Sequence, residues 1–515
     1  MLLRVQSAAV MGIQAQIIDI EVDLSLRRGR KYHVVGLPDL AVKESGERVR
    51  AAILNCGYTY PHRGCITVNL APADVKKEGT CFDLPIALAV LGLTGVVEPE
   101  RVQDWLILGE LSLDGRVRPI RGALPVALHA QAQKVGKVLL PLDNTREAAM
   151  VSGVDIHPAL SLPQVVDLLN GGFNQYPAIK VDRRELETRS TQKLPDFMDI
   201  KGQATAKRAL EIACAGSHNL LMLGPPGAGK TMLAKRIPSI LPAMSFDEAL
   251  QTTAIHSISG LLKGGHPFVT CRPFRAPHHT ISGAGLVGGG SLPRPGEVSL
   301  AHNGVLFLDE LLEFQRHVLE VLRQPLEDGE ITISRATGTL TFPARFMLAA
   351  AMNPCPCGFW GSVLKECVCS PLQIQRYLSK ISGPLLDRID LHIDVPEVKY
   401  QELVHGPQGE SSKTISQRVK RAHKTQIHRY RTSTIHCNAQ MDPVQLRQHC
   451  ALDKKSQALL KNAIEKLGFS ARAYDRVLKV ARTIADLDNS EKLCSGHVAD
   501  AIQYRSLDRN FWHNL

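Results

Sequence analysis

The segment Gly224-Pro225-Pro226-Gly227-Ala228-Gly229-Lys230-Thr231 sets glycines, a lysine and a hydroxyl residue at the spacing G-x-x-x-x-G-K-T. That pattern is a phosphate cradle. Glycines let successive backbone N–H groups turn towards an anion, and a helix opening at the lysine adds positive potential. Lys230 is placed to reach the β- and γ-phosphates of ATP, and Thr231 to hold Mg²⁺. The flanks fit: NLLML before the loop reads as a short strand, and TMLAKRI after it opens a helix. A glycine-rich turn ahead of a helix would lack that combination.

Nucleotide hydrolysis needs a second acid beside the metal. Val305 to Leu308 form an apolar run, expected for a buried parallel strand, with Asp309 and Glu310 at its carboxyl end. Asp309 is the Mg²⁺-side acid and Glu310 the candidate base for water. Another apolar strand, in RFMLAAAMNP, ends at Asn353, which either orients that water or simply turns the chain before Pro354. Arg388 stands between Asp387 and Asp390, as a surface ion pair or as a finger reaching a neighbouring subunit's ATP. Arg472 heads a helix in SARAYDRVLKVARTIADL.

Cys355, Cys357, Cys367 and Cys369 are spaced C-x-C-x9-C-x-C. Four thiolates on two short loops make a closed tetrahedral Zn²⁺ site, structural rather than catalytic. The alternative is packed or redox-labile thiols. The remaining cysteines are scattered and read as buried thiols. His278 and His279 read as turn-capping residues, not metal ligands.

These residues need elements to hold them. At 515 residues the chain is too long for one ordinary domain, and 44% hydrophobic with 22% charged residues excludes a disordered, collagen-like or coiled-coil chain. No apolar run reaches the ~18 residues of a membrane helix, and the N-terminus lacks a secretory pattern. A cytoplasmic protein is expected. Residues 1–170 mix strands and helices, including a buried helix in FDLPIALAVLGLTG. Residues 171–195 read as a charged linker, 196–400 as an α/β domain around the phosphate loop, and 401–515 as helices, with Leu459, Ala463 and Leu467 on one face. Of the +11 net charge, +8 falls in the last 115 residues, which carry 19 Lys+Arg against 11 Asp+Glu. Arg418, Lys420, Arg421, Lys424, Arg429 and Arg431 cluster there, either as a phosphate-binding face or as a solvated one.

Taken together, the two phosphate-site motifs, Asn353 as first sensor, Arg388 as finger and Arg472 as second sensor resemble an AAA+ ATPase. APHHTISGAGLVGGG resembles the helix-2 insert of the magnesium-chelatase-like branch, and LEDGEITISRATGTLTFPARFMLAAAMNPCPCG its hairpin and first sensor. HVVGLPDLAVKESGERVRAAI and PADVKKEGTCFDLPIALAVL resemble the Lon-protease-like domain (ribosomal S5 domain 2-like, α+β) fused to this ATPase in the YifB/ComM family. The resemblance runs from about residue 1 to 510.

It implies an α/β chain of three parts: a Lon-like domain, a P-loop AAA+ core and a C-terminal helical lid. It also implies a homo-hexameric ring driving branch migration of DNA, as in integration of DNA during natural transformation, with recombination proteins as further partners. Arg388 would act from the neighbouring subunit, while Arg472 is open between its own and a neighbouring site. Ile200 and Gly202 would lie near the adenine, although Ile200 fits a core residue equally. Arg335, Ala336, Thr337 and Gly338 at the hairpin tip, and the insert from Gly283 to Ser291, are expected at DNA, against the alternatives of an ordinary turn and a surface loop. A chelatase-type remodeller of a protein partner is the second reading. A Lon-like protease is the third: Cys81 falls at the nucleophile position, but the activating lysine's place is taken by Val126, so Cys81 reads as a small core residue.

Overall fold

The computed structural model describes residues 2–25, 30–61, 64–181, 194–262, 267–290, 293–335, 338–362, 365–398, 408–433, 435–467 and 469–505. It divides into two units, residues 1–190 with 249–270, and residues 191–248 with 271–515. The first unit takes in residues 249–270, a stretch expected from the sequence within the ATPase. Ala254 and Leu250 join there the apolar cluster that contains Ala123, Leu124 and Ala127, an attachment that a linear reading does not reveal.

The first unit is built on a seven-stranded mixed sheet in the order Arg30–Val35, Gly64–Ala71, Gln14–Ser25, Leu2–Met11, Trp105–Ile107, Lys137–Pro141, Asp155–Ala159. Its first hairpin pairs Leu2 with Asp23 through to Met11 with Gln14. Alternation splits the side chains between two cores: Val138 and Leu140 face one, Leu139 the other. The helix Asp83–Leu93 is the buried one that its sequence predicts, with Asp83 to Gly92 all buried. Of the linker expected at 171–195, residues 182–193 lie outside the described residues.

The second unit has a five-stranded parallel sheet in the order Phe274–Arg275, Val305–Leu308, Met347–Met352, Leu220–Leu223, Leu391–Asp394. Every residue of the three central strands is buried, which explains their unbroken apolar runs. Because the strands are parallel, their carboxyl ends share one edge. The strand Met347–Met352 lies between the other two, so whatever follows it stands between the phosphate loop and the acid pair. The helices Ser412–Arg429, Lys454–Leu467 and Ala471–Leu487 add Val419, Leu460 and Val477 to the same apolar core as Leu220 and Met347. Leu459 and Ala463 pack against that core as expected from their spacing; the side chain of Leu467 lies outside the described residues. Among the described residues no helix is long and apolar enough to cross a membrane.

Candidate active site

The phosphate loop follows the strand Leu220–Leu223, and the helix Lys230–Ala234 opens at its end. Gly229 has φ +86°, a left-handed conformation that a side chain would strain. Lys230 is buried, and its ammonium donates to Gly224 O at 2.5 Å, Pro225 O at 2.9 Å and Asn353 Oδ1 at 3.0 Å. Burial pulls its pKa down to about 8, against the opposing carboxylates of Asp309 and Glu310. Thr231 Oγ1 donates to Asp309 Oδ2 at 2.6 Å. A hydroxyl and a carboxylate oxygen this close, both hard donors, fit a Mg²⁺ site.

Glu310 is exposed and has φ +51°, uncommon for a non-glycine residue and typical of constrained functional positions. Its backbone N–H donates to Asp309 Oδ1 at 3.0 Å, while buried Leu311 and Leu312 anchor the turn behind it. His279 Nδ1 stands 3.4 Å from Glu310 Oε2, and His278 shares a turn with Thr280 through a 3.0 Å contact. The His279 contact is missed by the sequence reading, because no local pattern ties the two residues together. Ile200 is buried in the core, and Gly202 has φ +65°.

The arginines form a second cluster. Arg388 is buried, and its guanidinium donates to Glu327 and to Pro384 O. Neither flanking acid is its partner: Asp390 is buried and holds Arg476 and the Asn219 N–H instead. Arg472, in the first turn of Ala471–Leu487, is exposed and lies 3.8 Å from the same Glu327 oxygen. Burial and the neighbouring charges of Arg472 and Arg323 lower the pKa of Arg388, while Glu327 opposes them. Among the described residues, the side-chain partners of Arg388 and Arg472 do not include the phosphate loop or the acid pair.

The four cysteine sulfurs lie within 4.8 Å of one another. Cys355 is 3.3 Å from Cys357 and 3.6 Å from Cys367, and Cys357 is 3.6 Å from Cys367. Tetrahedral ligands at ~2.3 Å from zinc stand about 3.8 Å apart, so the set fits that ion. Backbone N–H groups of Trp360 and Cys357 point at the sulfurs of Cys355 and Cys369, a pull towards thiolate that burial outweighs at both, so a bound cation would have to draw off their protons. Gly358, with φ +85°, lies against the phosphate loop: a Cβ there would come within 2.6 Å of Pro226.

The expected DNA elements differ in what they expose. The hairpin pairs Glu330–Arg335 with Gly338–Pro343 and leaves Arg335 exposed; Ala336 and Thr337 lie outside the described residues, and Gly338 is described by its strand pairing alone. The insert holds a short helix, Gly283–Val287, and Gly288–Gly289 paired with Arg294–Pro295; Ser291 lies outside the described residues. On the helix Ser412–Arg429, Arg418 is held by Glu211 and Glu410, and Arg429 by Asp486 at 2.5 Å. Those two are structural ties, not free cations. Lys413, Lys420, Arg421 and Lys424 are exposed.

In the first unit, Cys81 has its thiol pushed up to about 12 by burial, and Val126 is fully buried. Asp83, also fully buried, receives both Arg48 N–H groups at 2.8 and 2.9 Å. Burial nevertheless raises its pKa to about 6.

The chain matches three family models: "Magnesium chelatase, subunit ChlI" over residues 196–403, "Subunit ChlI of Mg-chelatase" over 20–144, and "Magnesium chelatase, subunit ChlI C-terminal" over 409–505. It is 45% identical to Competence protein ComM of Haemophilus influenzae over 507 residues, covering 98% of this chain and 97% of that protein. Uncharacterized protein YifB of Escherichia coli is 42% identical over 515 residues, covering 99% and 98%. Lon protease 2 of Bacillus subtilis is 32% identical over 155 residues, covering 27% and 26%.

Proposed function

The chain belongs to the YifB/ComM family of magnesium-chelatase-like AAA+ ATPases, and we propose that it is an ATP-driven DNA motor. It works as a ring hexamer and promotes branch migration of recombination intermediates. The observation that carries the ATPase half is the meeting of Lys230, Thr231, Asp309 and Asn353 at one sheet edge. The DNA half is supported by the exposed basic residues of the helix Ser412–Arg429 and by the H. influenzae relative, whose name assigns it to competence.

Lys230 binds the β- and γ-phosphates, exchanging its loop carbonyls for them. Thr231 and Asp309 hold Mg²⁺, which supplies charge neutralisation on the phosphate oxygens. Glu310 orients the attacking water and accepts its proton, with Asn353 beside the γ-phosphate. Arg388 and Arg472 share Glu327 rather than their own phosphate loop, so both are assigned to the nucleotide of a neighbouring subunit. There they stabilise charge developing on the transferred phosphoryl group. The cysteine cluster holds a structural Zn²⁺ through Cys355, Cys357, Cys367 and Cys369.

The test is ATP-dependent strand displacement on forked and three-way DNA, with Glu310→Gln as the inactive control. Displacement by the wild type alone is expected. ATPase activity indifferent to DNA, with no displacement, would transfer the assignment to a chelatase-type remodeller of a protein partner. That second reading draws on the ChlI family matches along most of the chain.

A further inference from the structure

We propose that Glu327 is a positioning residue for the trans-acting arginines: its carboxylate is the resting counter-ion of Arg388 and Arg472, and phosphates of a neighbouring copy's nucleotide take its place. The inference rests on the assignment of both arginines to a neighbouring subunit's site.

The argument begins with burial. The Arg388 side chain is only 4% exposed, yet its assigned role requires contact with an anion on another chain. Its terminal donors are committed to Glu327 and Pro384 O, and its buried Nε has no hydrogen-bond partner among the described residues. It therefore has to leave or share Glu327 in order to act. Glu327 is well placed for such an exchange. Its side chain is 47% exposed, and the oxygen that meets Arg388 also lies 3.8 Å from Arg472, itself 59% exposed.

The surroundings hold arginines and carboxylates in balance, so Arg388 is poised between its own carboxylate and an arriving anion. Arg323, Arg335 and Arg388 line one open groove of about 630 Å³ together with Glu320, Glu327 and Asp328. Arg323 is paired with Glu320 at 3.1 Å, and among the described residues Glu327 is the carboxylate that Arg388 holds and Arg472 approaches. A polyphosphate offers more charge and more acceptor oxygens than one carboxylate, and guanidinium groups bind either. The exchange replaces one charge-assisted contact with another, so Arg388 does not have to be left buried and unpaired. Glu327 thus orients both arginines and weakens their hold on nucleotide by competing for them.

The experiment measures ATP turnover of the full-length protein against ATP concentration for Glu327→Gln. With the competing charge gone, KM is expected to fall about fivefold, the size of one partly exposed ion pair, and kcat/KM to rise. A kcat/KM that falls or stays at the wild-type value overturns the proposal, because a purely structural brace would only lose kcat when removed. Should Glu327→Gln fail to fold, Glu327→Asp decides the matter. It keeps the charge but withdraws it by one methylene, and a smaller fall in KM is expected. A KM at or above wild type overturns the proposal there too. Arg388→Ala separates the two levels of inference. If it retains turnover, the assignment of the arginines themselves fails. If it is inactive while both Glu327 variants keep the wild-type KM, only the counter-ion role fails.

Discussion

Lys230 Nζ stands 3.0 Å from Asn353 Oδ1, so the phosphate loop is tied directly to the end of the neighbouring strand Met347–Met352. Among the described residues this ammonium has carbonyl and amide oxygens as its partners and no carboxylate in direct contact. Burial lowers its pKa to about 8.

A pH dependence of nucleotide binding follows, with a definite sign. Phosphates beside Lys230 favour the ammonium, so binding raises a pKa that starts near 8. ATP affinity is expected to be full below about pH 8 and to fall by up to about tenfold per pH unit above it. Stability moves the other way. The folded pKa lies below the unfolded one, so this burial penalty is relieved as pH rises from about 8 to the unfolded value. Titration with an ATP analogue from pH 7 to 9.5, with calorimetry in two buffers of different ionisation enthalpy, checks the point. Flat affinity and no proton uptake at pH 8.5 would refute it.

What could be read from the sequence was what neighbouring residues encode. The loop Gly224–Thr231, the pair Asp309 and Glu310, and the strand ending at Asn353 each lie in one short segment with its own pattern. Their meeting at one sheet edge follows from parallel strands alone. The unread parts are long-range. Arg388 finds its carboxylate 61 residues away in Glu327, while both adjacent acids are passed over. Arg418 and Arg429 look like Lys420 in the sequence, and only the fold supplies Glu211 and Asp486 to neutralise them. The packing of residues 249–270 in the first unit was hidden for the same reason.

The Lon-like position is expected to be chemically quiet. With its thiol pushed up to about 12, Cys81 is a thiolate in on the order of 10⁻⁵ of molecules near neutral pH. Val126 supplies no base. In native protein, iodoacetamide should label exposed Cys494 long before Cys81, and unfolded casein should survive incubation with ATP. ATP-dependent degradation abolished by Cys81→Ala would reverse this assignment.

Stability of the first unit should hinge on Arg48. Its bidentate contact is the compensation for a carboxylate, Asp83, that is fully buried at the start of the helix Asp83–Leu93. Arg48→Ala leaves that buried carboxylate without its counter-charge, with only the long Leu111 N–H contact remaining, and is expected to cost about 3–5 kcal/mol. Denaturant unfolding measures it; a loss under about 1 kcal/mol would mean that the pair is dispensable.

Lys413, Lys420 and Lys424 are spaced by seven and four residues, so they lie along one stripe of the helix Ser412–Arg429. Among the described residues none of the three has a carboxylate partner. If all three meet DNA phosphates, replacing them with glutamine should reduce the slope of log affinity against log salt by about 2.7. Anisotropy titrations across salt read the slope directly. An unchanged slope would mark the stripe as a solvated face.

Zinc removal is expected to act on ATP as well as on stability, because Gly358 of the cysteine loop lies directly on Pro226. Purified protein should carry about one zinc per chain, the content of a closed four-thiolate site. Stripping the metal, or Cys357→Ser, frees the turn around Cys355 and Gly358 and removes the support behind the phosphate loop. KM for ATP should then rise several-fold. Gly358→Ala makes the complementary perturbation: it strains a φ of +85° and presses a methyl group into Pro226 while all four cysteines remain. That variant should keep its zinc and still show a raised KM. Protein purified without metal would remove the zinc assignment. Metal-free protein with an unaltered KM would separate the cysteine cluster from the nucleotide site, leaving it a local brace for the loop between Asn353 and the helix Pro371–Leu378.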